Sequence, residues 1–168
     1  MTDNKNLPKI IESSGLALHK TRNLLSITDK ILASKTLAVV DDAWLDELIA
    51  WADENNISEE QLPRDKKAIL EMTELGLYAI ALTEIPESIG KLTNLTKLYL
   101  SHNQLTKIPE SIGKLTNLTW LLLQDNQFTE LPESIGNLTN LTALYLGGNP
   151  IKSLPPELSH LNSITKFD

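Results

Sequence analysis

The chain has 168 residues, 41% of them hydrophobic and 22% charged, with a formal net charge of -7. That balance gives enough apolar mass for a core, and the acid excess argues against a general phosphate-backbone binder, which needs a basic stripe. The absence of cysteine excludes disulfides, thiolate metal sites and a cysteine nucleophile.

The polar start, Met1 to Lys9, does not read as a secretory signal. No stretch approaches the roughly 18 uninterrupted apolar residues of a membrane span. A cytoplasmic location is expected, with signal-independent export left open.

From Ile10 to Leu32 an apolar doublet recurs every seven residues: Ile10/Ile11, Ala17/Leu18, Leu24/Leu25 and Ile31/Leu32. Ser14, Thr21 and Thr28 keep the same spacing between the doublets. This pattern predicts one long amphipathic helix, weakened at Gly15. A second helix should begin at Asp41 or Asp42, both good N-caps, and fade at Asn55–Asn56. Trp44, Leu48 and Trp51 fall on one face of it. Ser58-Glu-Glu-Gln61 has the form of a capping box and predicts a third short element.

Charge is segregated along this region. Residues 1–40 carry six Lys/Arg against three Asp/Glu, and residues 41–65 carry nine Asp/Glu against one Arg. Three readings fit: two antiparallel helices with complementary faces, a basic docking or dimerising helix, or contact with an anionic membrane surface.

The rest of the chain repeats. Leu82 to Gln104 reads LTEIPESIGKLTNLTKLYLSHNQ, Leu105 to Gln127 reads LTKIPESIGKLTNLTWLLLQDNQ, and Phe128 to Pro150 reads FTELPESIGNLTNLTALYLGGNP, three gapless units of 23 residues. A degenerate unit precedes them at Met72 to Ile80, and another follows from Ile151 to Asp168 without completing itself. Leu98 and Leu100 sit two apart, as on one face of a strand, so successive units should stack their strands in parallel. Pro86, Pro109, Pro132 and Pro155 are placed to start a short helical turn on the opposite side. Gly90, Gly113 and Gly136 are expected to let that turn end. One such unit cannot bury its apolar face alone, so the repeats should fold as a stack, with its first layer covered by the preceding helices. Trp44 and Trp51 are the expected plugs.

The spacing LxxLxLxxNxL, read at Leu95, Leu98, Leu100, Asn103 and Leu105 and again 23 residues on, resembles the leucine-rich-repeat family. The IPxxIGxLxxL stretch is similar to the Ras-group and plant-intracellular subclass, and bacterial repeats share it. The resemblance covers about Ile69 to Asp168. It implies an α/β fold, a right-handed solenoid with a concave parallel sheet of about four to five strands, preceded by an N-terminal helical cap. The expected division is a cap region over 1–68 and a repeat domain over 69–168. It also implies that Asn103, Asn126 and Asn149 turn inward to bond loop backbone, a ladder that Ile80 interrupts. The N-L-T runs at Asn94, Asn117, Asn137 and Asn140 then belong to the framework and are poor glycosylation sites.

Outward strand positions fall into rows. The central row is Gly76, Tyr99, Leu122 and Tyr145. Two residues earlier lie Glu74, Lys97, Trp120, Ala143 and Lys166; two residues later lie Tyr78, Ser101, Gln124 and Gly147. Tyr99, Trp120, Leu122 and Tyr145 should therefore form one concave patch, rimmed by Lys97, His102 and Asp125. Large exposed aromatics are enriched in binding hot spots, although strands favour aromatics in any case.

No phosphate-binding loop, dinucleotide fingerprint, metalloprotease motif or serine elbow is present. The sequence thus predicts no catalytic residue, no cofactor and no metal. The expected partner is another protein, with no nucleic acid; a homodimer through the N-terminal helix or an open C-terminal edge remains an option. The alternative is a recognition part of a larger signalling or effector protein whose active domain lies elsewhere.

Overall fold

The computed structural model describes residues 42–161 together with 165 and 166. The helix expected over 10–32 and the basic half of the segregated charge lie outside the described residues. One compact unit spans Trp44–Asp168.

Helix α1 covers residues 42–54. Leu45, Leu48, Trp51 and Ala52 form its buried stripe, and Trp44 packs partly against the same cluster. The helix ends where the sequence predicts. Asn55 bonds the Trp51 carbonyl through both its backbone N–H and its side-chain amide, and Asn56 adopts φ 54°.

The capping box forms but caps only a turn. The Ser58 N–H and the Gln61 side-chain oxygen meet at 3.3 Å, and the Gln61 N–H returns to Ser58 Oγ at 3.3 Å. Pro63, two residues on, lacks an N–H and clashes with a continuing helix, so the expected third element stops there. Arg64 then ties the segment together. It pairs with Asp53 at 2.7 Å and donates to the Ile57 and Leu62 carbonyls. Helix α2, Lys66–Glu71, follows with Asp65 as its N-cap.

Five parallel strands come next in sequential order: β1 Glu74–Gly76, β2 Lys97–Tyr99, β3 Trp120–Leu122, β4 Ala143–Tyr145 and β5 Thr165–Lys166. Across β1 to β4 each residue pairs with the one 23 later. The middle residue of each strand, Leu75, Leu98, Leu121 and Leu144, is fully buried, and its two neighbours face out. Register differs only at the end. There Leu144 pairs with Thr165 and Tyr145 with Lys166, so Lys166 joins the Tyr145 row rather than that of Trp120 and Ala143. A slip of two residues keeps the same faces in and out, so a two-residue strand resists it weakly.

The inward columns continue below the sheet through Leu77, Leu100, Leu123 and Leu146 and through Leu82, Leu105 and Phe128. They merge with Leu48, Trp51, Ile57, Leu62 and Ile69 into one core. The helices are therefore the cap that the open first layer requires. Among the described residues no helix is long and apolar enough to cross a membrane.

The side opposite the sheet carries 3-10 turns: η1 Glu87–Lys91, η2 Glu110–Lys114, η3 Glu133–Asn137 and η4 Pro156–Leu161. Pro86, Pro109 and Pro132 sit one residue ahead of these turns, in extended backbone, and supply the first acceptor carbonyl. The glycines do not end the turns, as the sequence suggested; they lie inside them. A Cβ on Gly90 would stand 2.5 Å from the Ser111 carbonyl of the next turn, and one on Gly113 would stand 2.5 Å from that of Ser134. Glycine is required by the close approach of neighbouring backbones.

Polar ladders run alongside the apolar columns. The Asn126 carboxamide accepts from the Leu105 N–H at 3.0 Å and donates to the carbonyls of Leu100, Leu123 and Gln124. Asn103 and Asn149 do the same one repeat away. Ile80 holds no carboxamide, and Asn103 Oδ1 takes its N–H at 3.2 Å. The N-L-T runs also belong to the framework. Asn94, Asn117 and Asn140 donate to Leu70, Thr93 and Thr116, while the Thr96, Thr119 and Thr142 hydroxyls bond Thr73, Thr96 and Thr119.

Candidate functional site

The exposed sheet face is where the repeats spend side chains that the core does not need. Its central row, Gly76, Tyr99, Leu122 and Tyr145, is held in register by the strand pairing. All three side chains in that row are half-buried. The row beside it runs Glu74, Lys97, Trp120 and Ala143. Trp120 is 43% exposed and Tyr78, two residues past β1, is 57% exposed, the most exposed large apolar side chains on this face among the described residues.

Lys97 is committed within the chain. Its ammonium lies 2.7 Å from Glu74 Oε1 and 5.8 Å from the centre of the Trp120 ring. The hydrogen bond to Glu74, and then the charge of that carboxylate, hold its pKa above the usual lysine value.

His102 and Asp125 lie on the opposite side of the central row. His102 Nε2 is 3.3 Å from Asp125 Oδ2, and the His102 ring meets Tyr78 edge-on at 4.9 Å between centroids. Both residues have positive φ, 59° and 51°, as do Ala79 and Gly148 at the same repeat position. The turn after each strand thus demands left-handed backbone, where His, Asp and Asn are enriched and Gly is free of steric cost.

A groove of about 530 Å³ opens between these rows. It is bounded by Tyr78, Tyr99 and Leu122 and, at the polar end, by His102 and Asp125. Gln61 closes its rim by donating to the Gly76 carbonyl at 3.1 Å. Of the residues expected at the site, Tyr99, Leu122, His102 and Asp125 share this groove. Lys97 and Trp120 form a neighbouring pair, and Tyr145 continues the central row.

Gln61, Gly76, Tyr78, Ser101 and Gln124 also line the groove, beyond the residues expected from the sequence. Tyr78 belongs to the degenerate first unit, where the repeat pattern is weakest. Gln61 reaches the groove from the cap, and no repeat-based reading points to it. Among the described residues no cluster of three metal-ligating side chains occurs.

A family model described as a leucine-rich repeat region matches residues 54–167. The chain belongs to the leucine-rich repeat family. A leucine-rich repeat protein of Leptospira interrogans is 38% identical over 58% of this chain, with a TM-score of 0.51. An internalin of Listeria monocytogenes is 27% identical over 59% (TM-score 0.46), and the BIR2 ectodomain of Arabidopsis thaliana is 25% identical over 51% (TM-score 0.42). This leucine-rich repeat chain spans 25% of the Leptospira protein, 37% of the internalin and 45% of the plant ectodomain. No curated protein matches the sequence. The leucine-rich repeat fold suggests a protein-interaction module, and proteins built on it are generally non-catalytic.

Proposed function

We propose that this leucine-rich repeat chain holds a protein partner on the concave face of its sheet and performs no catalysis itself. The observation that carries this reading is the row of Tyr99, Leu122 and Tyr145, with Trp120 beside it, held outward in register over three adjacent strands. Tyr and Trp supply large contact areas at small entropic cost, and such clusters dominate binding energy where they occur. Lys97, His102 and Asp125 give the patch a polar rim. In this reading residues 1–68 act as the cap region and residues 69–168 as the binding domain.

The test compares partner capture by the wild-type chain with capture by Trp120→Ala and Tyr99→Ala, using Glu130→Gln as a control outside the concave face. Binding that weakens at least about tenfold in the first two and survives in the third supports the reading. Equal binding by all four proteins sinks it.

A second reading makes the chain the recognition part of a larger signalling or effector protein. The Leptospira relative supports it, since this chain spans a quarter of that protein. An antibody against the repeats would then detect a native species well above 18.7 kDa. Detection at 18.7 kDa alone contradicts it. The cytoplasmic setting, the lack of nucleic-acid binding and a homodimer through the N-terminal helix or the C-terminal edge belong to the same proposal. Fractionation, a salt-dependent shift assay and light scattering test them in turn.

A further inference from the structure

Two lines of side-chain contacts cross the first three repeat units on this face, and only the second borders the groove. In the first, Lys97 stands between the Glu74 carboxylate and the Trp120 ring, at 2.7 Å from one and 5.8 Å from the centre of the other. A cation held between a carboxylate and an aromatic face gains from both, through a charge-assisted hydrogen bond and the ring quadrupole. This face therefore already builds one such site with its own lysine.

In the second line of contacts the outer partners recur in the opposite order. Tyr78 offers the ring and Asp125 the carboxylate, with His102 between them. The Asp125 side chain remains 52% exposed, and its only polar side-chain partner among the described residues is His102. Asp125 is the sole Asp, Glu, Lys or Arg among the described residues that line the groove. Gly76 adds no side chain, and a Cβ placed there would meet nothing within 4 Å. A notch thus opens in front of Tyr78 and Tyr99, with acceptors and rings on its walls and, among the described residues, no lysine or arginine.

We propose that this notch receives an arginine side chain of a protein partner, its guanidinium stacked on the tyrosine rings and paired with Asp125. The proposal rests on the concave-face reading and names the chemistry that face selects. Arginine fits better than lysine because its planar fork stacks on a ring while donating in its own plane to a carboxylate. The net charge of -7 steers a basic partner toward the chain over distances longer than the contact itself.

The probe is the tripeptide acetyl-Gly-Arg-Gly-amide, titrated into the isotopically labelled full chain and followed by amide NMR. Its citrulline counterpart, equal in shape but uncharged, is the control. The expected result is saturable shifts at Gly76, Tyr78, Tyr99 and Asp125 with a dissociation constant of roughly 1–10 mM. Citrulline, and Asp125→Asn with the arginine peptide, should each weaken binding at least about fivefold. Glu130→Gln should leave it unchanged. Absence of saturable shifts up to about 50 mM, equal shifts from citrulline, or indifference to Asp125→Asn overturns the proposal. A partner lost by Trp120→Ala and Tyr99→Ala but kept by Asp125→Asn removes the arginine and leaves the concave face in place. A partner kept by all three removes both.

Discussion

Replacing Asn126 by alanine isolates the contribution of the inward carboxamide ladder, and the structure says which of its bonds matter. Asn126 makes four, but three of its acceptors have a second donor. The Leu100 carbonyl also receives Asn103 Nδ2, that of Leu123 receives Asn149 Nδ2, and that of Gln124 receives the His102 N–H. Only the Leu105 N–H, buried and bonded to Asn126 Oδ1 at 3.0 Å, is left without its partner. One orphaned buried donor costs about 1–3 kcal/mol, and the lost bonds and small void add roughly another 1. Asn126→Ala should therefore cost about 2–4 kcal/mol, read as a lower urea midpoint at unchanged slope.

Asn126→Asp sharpens the test. It keeps the acceptor for Leu105 but turns a carboxylate oxygen toward three carbonyls within 3.1 Å. That repulsion raises the folded-state pKa of the new acid above its unfolded value. The variant should thus be least stable above the folded value and recover as pH falls through it toward the unfolded value. A loss below about 1 kcal/mol for the alanine variant, or no recovery of the aspartate variant on acidification, would refute the assignment.

Two further outcomes follow from local geometry. Gly113→Ala should lose about 1–3 kcal/mol by thermal or urea melting, because its Cβ meets the Ser134 carbonyl at 2.5 Å, whereas Gly76→Ala, with open space at its Cβ, should be neutral or slightly stabilising. Glu74→Gln should lower the Lys97 ammonium pKa toward the ordinary lysine value, as followed by NMR of the Nζ resonance. Because the folded value is raised, the contribution of this pair to stability is present below the unfolded lysine pKa and disappears as pH rises through the folded one.

The fold was legible because its determinants are periodic. Leu98 and Leu121 recur at the strand spacing that puts them inside, and Asn103, Asn126 and Asn149 recur where only loop backbone can satisfy them. What escaped depends on distances between turns that no single repeat contains. Gly90 looks like a helix terminator in sequence, and only the neighbouring Ser111 backbone shows that its role is to leave room. The left-handed column at Ala79, His102, Asp125 and Gly148 did leave a trace, since three of its four residues are types that tolerate positive φ. Reading those positions together would have found it. Of the site, the rows through Tyr99 and Trp120 were legible, whereas Ser101, expected to face out, is buried and donates to Gln124 Oε1, and Gln61 and Tyr78 lay in segments where the period fades.

The absence of cysteine permits a direct measurement of which strand positions face solvent. Single-cysteine variants Leu98→Cys and Tyr99→Cys can be labelled with iodoacetamide under native conditions, with the urea-unfolded chains as reference. The thiol at 99, at a half-buried position, should react within about tenfold of its unfolded rate, and the one at 98 at least about a hundredfold more slowly than that at 99, limited by opening of the stack. Comparable protection at both positions, or a faster reaction at 98, would contradict an inward leucine column beneath a free concave face.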